Sequence, residues 1–128
     1  MYDRIYQGIR DRRGFAEVYV IDNFKRRTLK EQMLLYYEPF DLDWGFPGEE
    51  ARNLALGLLA DALEGGDDPM VDGMWERLHE ELVSRLPQEG WQLHQWEIVD
   101  WVYGRIGRIP VYKLPLDALG GGVEPGLN

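Results

Sequence analysis

The fold class depends first on residues 49–62, which read EEARNLALGLLADA. Apolar side chains recur in this stretch at intervals of three and four residues, which places them on one face of a helix. Two glutamates occupy the first turn, where the helix dipole favours anions, and Gly65-Gly66 follows as a terminator. The sequence therefore predicts an amphipathic helix. Its apolar positions are Ala51, Leu54, Ala55, Leu58, Leu59 and Ala62.

The segment before this helix has the composition of β-strands. Residues 2–9 alternate between two faces, and residues 15–21 are rich in valine, tyrosine and isoleucine. The polar stretch 10–14 ends in glycine and is typical of a turn, so we expect the two strands to form a hairpin. The short apolar run 33–37 is interpreted as a third strand, although its periodicity does not distinguish a strand from a helical turn.

Two further helices follow in the second half of the chain. Asp67 or Asp68 is a natural N-cap with Pro69 at the first helical position, and this second helix is expected to end at Pro87. A third helix is expected over residues 94–104. Between these two helices, Trp91 and Leu93 flank a polar residue and indicate a short extended segment.

These elements predict an α+β protein, in which an N-terminal antiparallel hairpin or three-stranded sheet packs against three helices. Residues 109–112 are expected to add an edge strand. We expect a single domain over residues 1–118, because most single domains have about 100–150 residues. Residues 119–128, which include three consecutive glycines, are expected to form a flexible tail.

Charge is distributed unevenly along the chain. Residues 1–30 carry eight basic and four acidic side chains, so six basic and 19 acidic ones remain over residues 31–128. The two parts therefore have net charges of +4 and −13, which give the total of −9. Such asymmetry favours a surface for a charged partner, although a solvated charged face is the simpler interpretation. The overall negative charge argues against direct binding to nucleic acid.

Several classes of chemistry lack the residues that they need. The chain has no cysteine, Ser84 and Thr28 are its only side-chain hydroxyls outside tyrosine, and its two histidines show no ligand spacing. We therefore expect no catalytic residue, no metal and no cofactor. No apolar run approaches the roughly 18 residues of a membrane span, and the N-terminus does not resemble a signal peptide. A cytoplasmic location without membrane contact is expected.

Two groups of residues are candidates for partner binding. The loop 40–46 contains three aromatic residues, and we select Trp44 and Phe46 as recognition anchors. The alternative is that Phe40 and Trp44 close one end of the core. Trp96 lies away from the apolar face of its predicted helix and is a further candidate. The acidic candidates on the second helix are Glu76, Glu80 and Glu81.

The loop and the helix after it resemble the signature of a family of small uncharacterised bacterial and phage proteins. The matching residues are Phe40, Trp44-Gly45-Phe46, Gly48, Leu54-Ala55-Leu56 and Leu58-Leu59. A later block, Leu86-Pro87, Trp91, Leu93, Ile98 and Trp101, is also similar, and so are Tyr6 with Gly8 and the strand at 18–20. The resemblance covers residues 4–104 and departs from the family pattern at 41–43 and Pro47. It implies an accessory role in a phage or plasmid and no particular activity.

The leading hypothesis is a non-enzymatic protein that docks through an acidic surface on a host protein. The acidic surface would suit a partner that handles nucleic acid and is therefore basic. One alternative is an enzyme that uses carboxylates or a divalent metal. Another is a structural module, in which the Trp44 loop or Trp96 buries against a second copy of the chain to form a homo-oligomer.

Overall fold

The computed structural model describes residues 2–34, 41–65 and 69–114. These residues form a sheet with helices packed against it, which confirms the α+β class. The strands are β1 (Ile5–Arg10), β2 (Ala16–Asp22), β3 (Lys25–Thr28), β4 (Gly90–His94) and β5 (Tyr112–Lys113). The helices are α1 (Leu29–Met33), α2 (Glu49–Ala62), α3 (Pro69–Glu81) and α4 (Gln95–Val102), and a 3-10 turn covers Val83–Arg85.

The sheet has five antiparallel strands in the order β3-β2-β1-β4-β5. The predicted hairpin is confirmed, with Gly8 of β1 opposite Val18 of β2. On its other side Gly8 lies opposite Trp91 of β4, so the extended segment at 91–93 joins the centre of the sheet. An edge strand is present after α4, but it is Tyr112–Lys113, so only Tyr112 of the predicted residues 109–112 belongs to it. The sheet is thus larger than the hairpin or three-stranded sheet that we expected.

The third strand of the prediction was placed wrongly. A two-residue turn at Asn23 and Phe24, with φ angles of 53° and 66°, leads directly into β3, as in tight hairpins. Thr28 then begins α1: its hydroxyl accepts from the N–H of Glu31 at 3.2 Å, and the Glu31 carboxylate caps the N–H of Thr28. This capping box makes Met33 helical. The next residue of the predicted strand, Leu34, is in a turn. Residues 35–37 lie outside the described residues.

The other helices follow the predictions with two changes at their ends. The apolar face of α2 is buried as expected, and α3 begins at Pro69. However, α3 ends at Glu81, because the chain tightens into the 3-10 turn before Pro87. The third predicted helix is shorter than expected and is α4, Gln95–Val102. Asp67, Asp68 and the tail 119–128 lie outside the described residues.

The core lies between one face of the sheet and the helices. Alternate strand residues point inward and are buried, whereas their neighbours Gln7, Tyr19 and Gln92 are partly exposed on the other face. Gly8 permits the closest approach, since a Cβ atom there would lie 2.3 Å from the Trp91 indole. In the described segments, no helix is both long and apolar enough to cross a membrane. The inward strand residues are Tyr6, Val18, Val20, Trp91 and Leu93.

Candidate docking face and the residues around it

An acidic stripe runs along the exposed side of α3 and is formed by Asp72, Glu76 and Glu80. The three side chains recur every four residues, so they lie along one side of the helix, and all three residues are exposed. Arg52 of α2 approaches Glu76, with 3.6 Å between Nε and Oε1. Because both side chains are half exposed to water, this ion pair offsets little of the charge of the stripe.

The loop that carries Phe46 is attached to the last turns of α3 and the 3-10 turn. The N–H of Gly45 donates to the carbonyl oxygen of Val83 at 3.1 Å, and the N–H of Gly48 donates to Nε2 of His79 at 3.5 Å. His79 is the neighbour of Glu80 in sequence. Phe46 therefore lies between two anchored positions of a loop that is attached to α3 and the 3-10 turn, and 38% of its surface is exposed.

Gly45 is required by this loop. Its φ angle is +88°, a conformation that side chains other than glycine resist. A Cβ atom there would also lie 2.5 Å from Cγ of Gln88. The turn at Gly45 brings Trp44 inward and leaves Phe46 outside.

Trp44 is fully buried, so our selection of it as a partner contact was wrong. Its ring packs edge-on against Trp91, with 5.4 Å between ring centroids, and its indole N–H donates to the carbonyl oxygen of Gln88 at 3.2 Å. The guanidinium of Arg10 lies 4.8 Å from its ring centroid. Trp44 closes the core, as the alternative interpretation held, and Phe40 lies outside the described residues.

Glu81 lies on a different side of α3 from the acidic stripe. It pairs with Arg77 at 3.0 Å and borders a groove with Leu82 and Arg85. Glu76 and Glu80 therefore share one side of α3, and Glu81 is separated from them. Phe46 lies on a loop that is hydrogen-bonded to His79 of α3 and to Val83. The sequence signal for this separation is the spacing, since one residue rotates the position by about 100° around a helix.

Trp96 belongs to another surface, at the junction of β4 and α4. It is 47% exposed, and its ring lies 6.3 Å from that of His94. The His94 ring in turn lies edge-on to Tyr112, at 5.4 Å between centroids. Below them, the buried Glu97 accepts from the Tyr112 hydroxyl at 3.3 Å. Loss of contact with water and the nearby Glu97 carboxylate raise the pKa of Tyr112.

A buried polar network at the end of α2 was not anticipated from the sequence. The carboxylate of Asp61 accepts from the Tyr6 hydroxyl at 2.6 Å and from Nε2 of Gln32 at 3.0 Å. Nη1 of Arg4 lies 3.2 Å from the same carboxylate. The backbone N–H of Arg4 donates to Oε1 of Gln95 at 3.0 Å, across 91 residues of sequence.

The network connects the start of β1 to α1, α2 and α4. Both oxygens of the Asp61 carboxylate have donors, so the buried charge is compensated. Burial raises the pKa of Tyr6 well above its ordinary value, and the charge and hydrogen bond of Asp61 raise it further. The signal available in the sequence was an aspartate within the apolar face of a predicted helix, which requires a buried partner.

The positions of the histidine, aspartate and glutamate side chains show whether any of them could share a metal ion. Within residues 2–34, 41–65 and 69–114, no three histidine, aspartate or glutamate side chains lie together in a way that could hold a metal ion. The residues that the structure does gather are an acidic helix face, an anchored phenylalanine and an exposed aromatic cluster. Aromatic residues of this kind are enriched at interfaces between proteins.

The molecule is thus an α+β protein with an exposed acidic helix face and exposed aromatic side chains on a small antiparallel sheet and its helices. It belongs to the Family of unknown function (DUF6166), whose model matches residues 6–104. We expected a resemblance to an uncharacterised family over residues 4–104. The match confirms such a family over residues 6–104. No curated protein and no solved structure matches the chain.

Proposed function

We propose that the protein is a non-enzymatic binding protein that docks on another protein through the acidic stripe of α3 together with Phe46. The observation that carries this proposal is that the loop of the exposed Phe46 is hydrogen-bonded on both sides, at Gly45 and Gly48, to the 3-10 turn and to α3, the helix that also carries the acidic stripe. An aromatic side chain that is already fixed in place loses little conformational entropy on binding. Such anchors contribute much of the affinity of protein interfaces.

The chemistry of the face favours a basic protein as its partner. Asp72, Glu76 and Glu80 are complementary to lysine and arginine side chains, and such complementarity speeds association and excludes wrong partners. The same charges repel nucleic-acid phosphate. A host protein that handles nucleic acid meets this requirement, because its working surface is basic. The proposed role is that of an accessory protein of a phage or plasmid, acting in the host cytoplasm.

The arrangement of the acidic residues bears on the enzyme alternative. The three carboxylates of the stripe face water along one helix, whereas acid–base catalysis requires carboxylates that face a common substrate site. A docking surface requires carboxylates that face water along one side of the molecule. We therefore favour binding over a carboxylate enzyme.

A second candidate function is self-association through the cluster of Trp96, His94 and Tyr112. Trp96 and Tyr112 are 47% and 43% exposed and lie on either side of His94. Large exposed aromatic residues of this kind are enriched at interfaces between chains. Analytical ultracentrifugation over a wide concentration range tests this candidate. A mass that rises with concentration in the wild type and stays monomeric in Trp96→Ala supports it, and a constant monomer mass excludes it.

The docking proposal is tested by pull-down of the tagged protein from nuclease-treated host lysate at low and high salt. The variants are Phe46→Ala and, as a matched control, Tyr103→Ala, because Tyr103 is an exposed aromatic residue (52%) on another part of the molecule. We expect one abundant partner at low salt with wild type and Tyr103→Ala. That partner should be lost with Phe46→Ala and at high salt.

Two results would contradict the docking proposal. Retention of the same partner by Phe46→Ala would mean that Phe46 is not an anchor. Release of the partner by nuclease treatment alone would mean that nucleic acid, rather than protein, bridges the two.

A further inference from the structure

A groove lies on the side of α3 away from the acidic stripe and was not among the sites expected from the sequence. It has a volume of about 430 Å³, within the range of roughly 300–1,000 Å³ that is usual for small-molecule sites. Its walls come from α3, the 3-10 turn, α4 and the segment after α4. The lining residues are Leu78, Glu81, Leu82, Arg85, Trp101, Gly107, Arg108, Ile109 and Val111.

The floor of the groove is apolar and already formed. Leu78 is fully buried, and Trp101 and Ile109 are each only 5% exposed. The segment that forms the outer wall is fixed where it leaves α4: the N–H of Arg105 donates to the carbonyl oxygen of Asp100 at 2.8 Å, and their side chains pair at 2.8 Å. A ligand with an apolar body would therefore meet a rigid surface.

The rim of the groove is cationic. Arg85 and Arg108 are both exposed, and neither forms an ion pair with any other described residue. The acidic residue of the rim, Glu81, is already paired with Arg77 at 3.0 Å. No described carboxylate therefore offsets the charge of Arg85 or Arg108. Their charge is available to an anion.

We propose that this groove binds a small carboxylate with an apolar body. The apolar body contacts Val111 and the accessible edges of Trp101 and Ile109, and the carboxylate accepts hydrogen bonds from Arg85 and Arg108. Guanidinium groups are suited to carboxylates because their paired N–H donors match the two oxygens. This site is independent of the proposed docking face, since it uses neither Phe46 nor the acidic stripe.

Decanoate and decanol are suitable probes, because they have chains of the same length and differ in the charged group. Binding is followed by shifts of the Gly107 and Ile109 amide signals and the Trp101 indole signal in two-dimensional NMR spectra of the labelled full chain. We expect decanoate to bind with these signals shifting together and decanol to bind at least roughly tenfold more weakly. Added salt should weaken the binding of decanoate and leave that of decanol unchanged.

Substitutions of the rim arginines test the assignment of the anion site. Arg85→Gln and Arg108→Gln should each weaken decanoate binding about five- to tenfold without changing decanol binding. Arg12→Gln is the matched control, because Arg12 is an exposed arginine in the turn between β1 and β2. Well-dispersed spectra of each variant establish that it is folded.

The proposal is overturned if decanoate shifts none of these signals, or if decanol binds as tightly as decanoate. It is also overturned if both rim variants keep the wild-type affinity, or if Arg12→Gln lowers it as much as they do. The last result would make the attraction a property of the overall charge rather than of the groove.

Discussion

Asp61 and Glu80 are both carboxylates on helices, yet Asp61 is buried against the sheet and Glu80 faces water. Asp61 receives hydrogen bonds from Tyr6 and Gln32 and an ion pair from Arg4. The stripe that contains Glu80 has one weak ion pair, from Arg52. Charge that is compensated inside the molecule specifies the fold. Charge that remains uncompensated at the surface is available for a partner.

The largest effect that we expect comes from breaking the buried network. Asp61→Ala leaves Arg4, Tyr6 and Gln32 without their acceptor and should lower the free energy of unfolding by about 3–5 kcal/mol. Asp22→Ala is the control, because Asp22 also pairs with Arg4, at 3.4 Å, but is partly exposed. It should cost no more than about 1 kcal/mol. Urea denaturation followed by circular dichroism measures both values, and equal losses would show that burial of Asp61 carries no special weight.

Smaller effects are expected from substituting two glycines, the buried Gly8 of β1 and the exposed Gly73 of α3. Gly8→Ala places a Cβ atom 2.3 Å from the buried Trp91 ring and should destabilise the protein by about 1–3 kcal/mol. Gly73 lies on the exposed part of α3 with no neighbouring atom within 4 Å of a Cβ. Gly73→Ala should therefore stabilise the protein by about 0.5–1 kcal/mol. Thermal unfolding of both variants tests this, and loss of stability in Gly73→Ala would mean that α3 is packed differently.

Alkaline pH provides a graded test of the network. Burial raises the pKa of Tyr6 well above 10 in the folded protein, whereas an unfolded tyrosine ionises near pH 10. The unfolded state thus loses this proton first, so the stabilising contribution is complete below about pH 10 and declines as the pH rises further. Tyr6→Phe should be less stable than wild type at neutral pH but should show a shallower decline above about pH 10. Urea midpoints between about pH 8 and pH 11 decide this, and identical declines would exclude Tyr6 as the source.

Local signals in the sequence were sufficient for most of the fold. The apolar period of α2, the hairpin of β1 and β2 and Pro69 at the start of α3 each depend on neighbouring residues, and all were predicted. The capping box from Thr28 to Glu31 is also visible in the sequence. It indicates the start of a helix just before the run where the third strand was predicted. A capping box can start a helix even where the residues after it favour strands. The reason is that the cap satisfies the first backbone N–H groups of the helix.

The remaining features depend on contacts between distant residues. β4 lies beside β1 through pairs such as Ile5 with His94, and a strand of five residues carries no local signal for its neighbour in the sheet. The same limit applied to the candidate site. The spacing of Glu76 and Glu80 puts them on one helix face, but the attachment of the Phe46 loop to the same helix depends on hydrogen bonds to His79 and Val83.

The central claim is that the acidic stripe and Phe46 form a docking face for a basic protein. The most direct measurement is the dissociation constant of the partner identified by pull-down, for the wild type and for two double variants with the same change in net charge. Glu76→Gln with Glu80→Gln removes two charges of the stripe, whereas Glu17→Gln with Glu89→Gln removes two charges elsewhere. Neither double variant should change the free energy of unfolding by more than about 0.5–1 kcal/mol, because these side chains are at the surface.

We expect the stripe variant to bind at least about tenfold more weakly than wild type at low salt and the matched variant to bind almost as tightly as wild type. Equal losses in the two variants would contradict the claim, because they would assign the attraction to overall charge rather than to the face of α3.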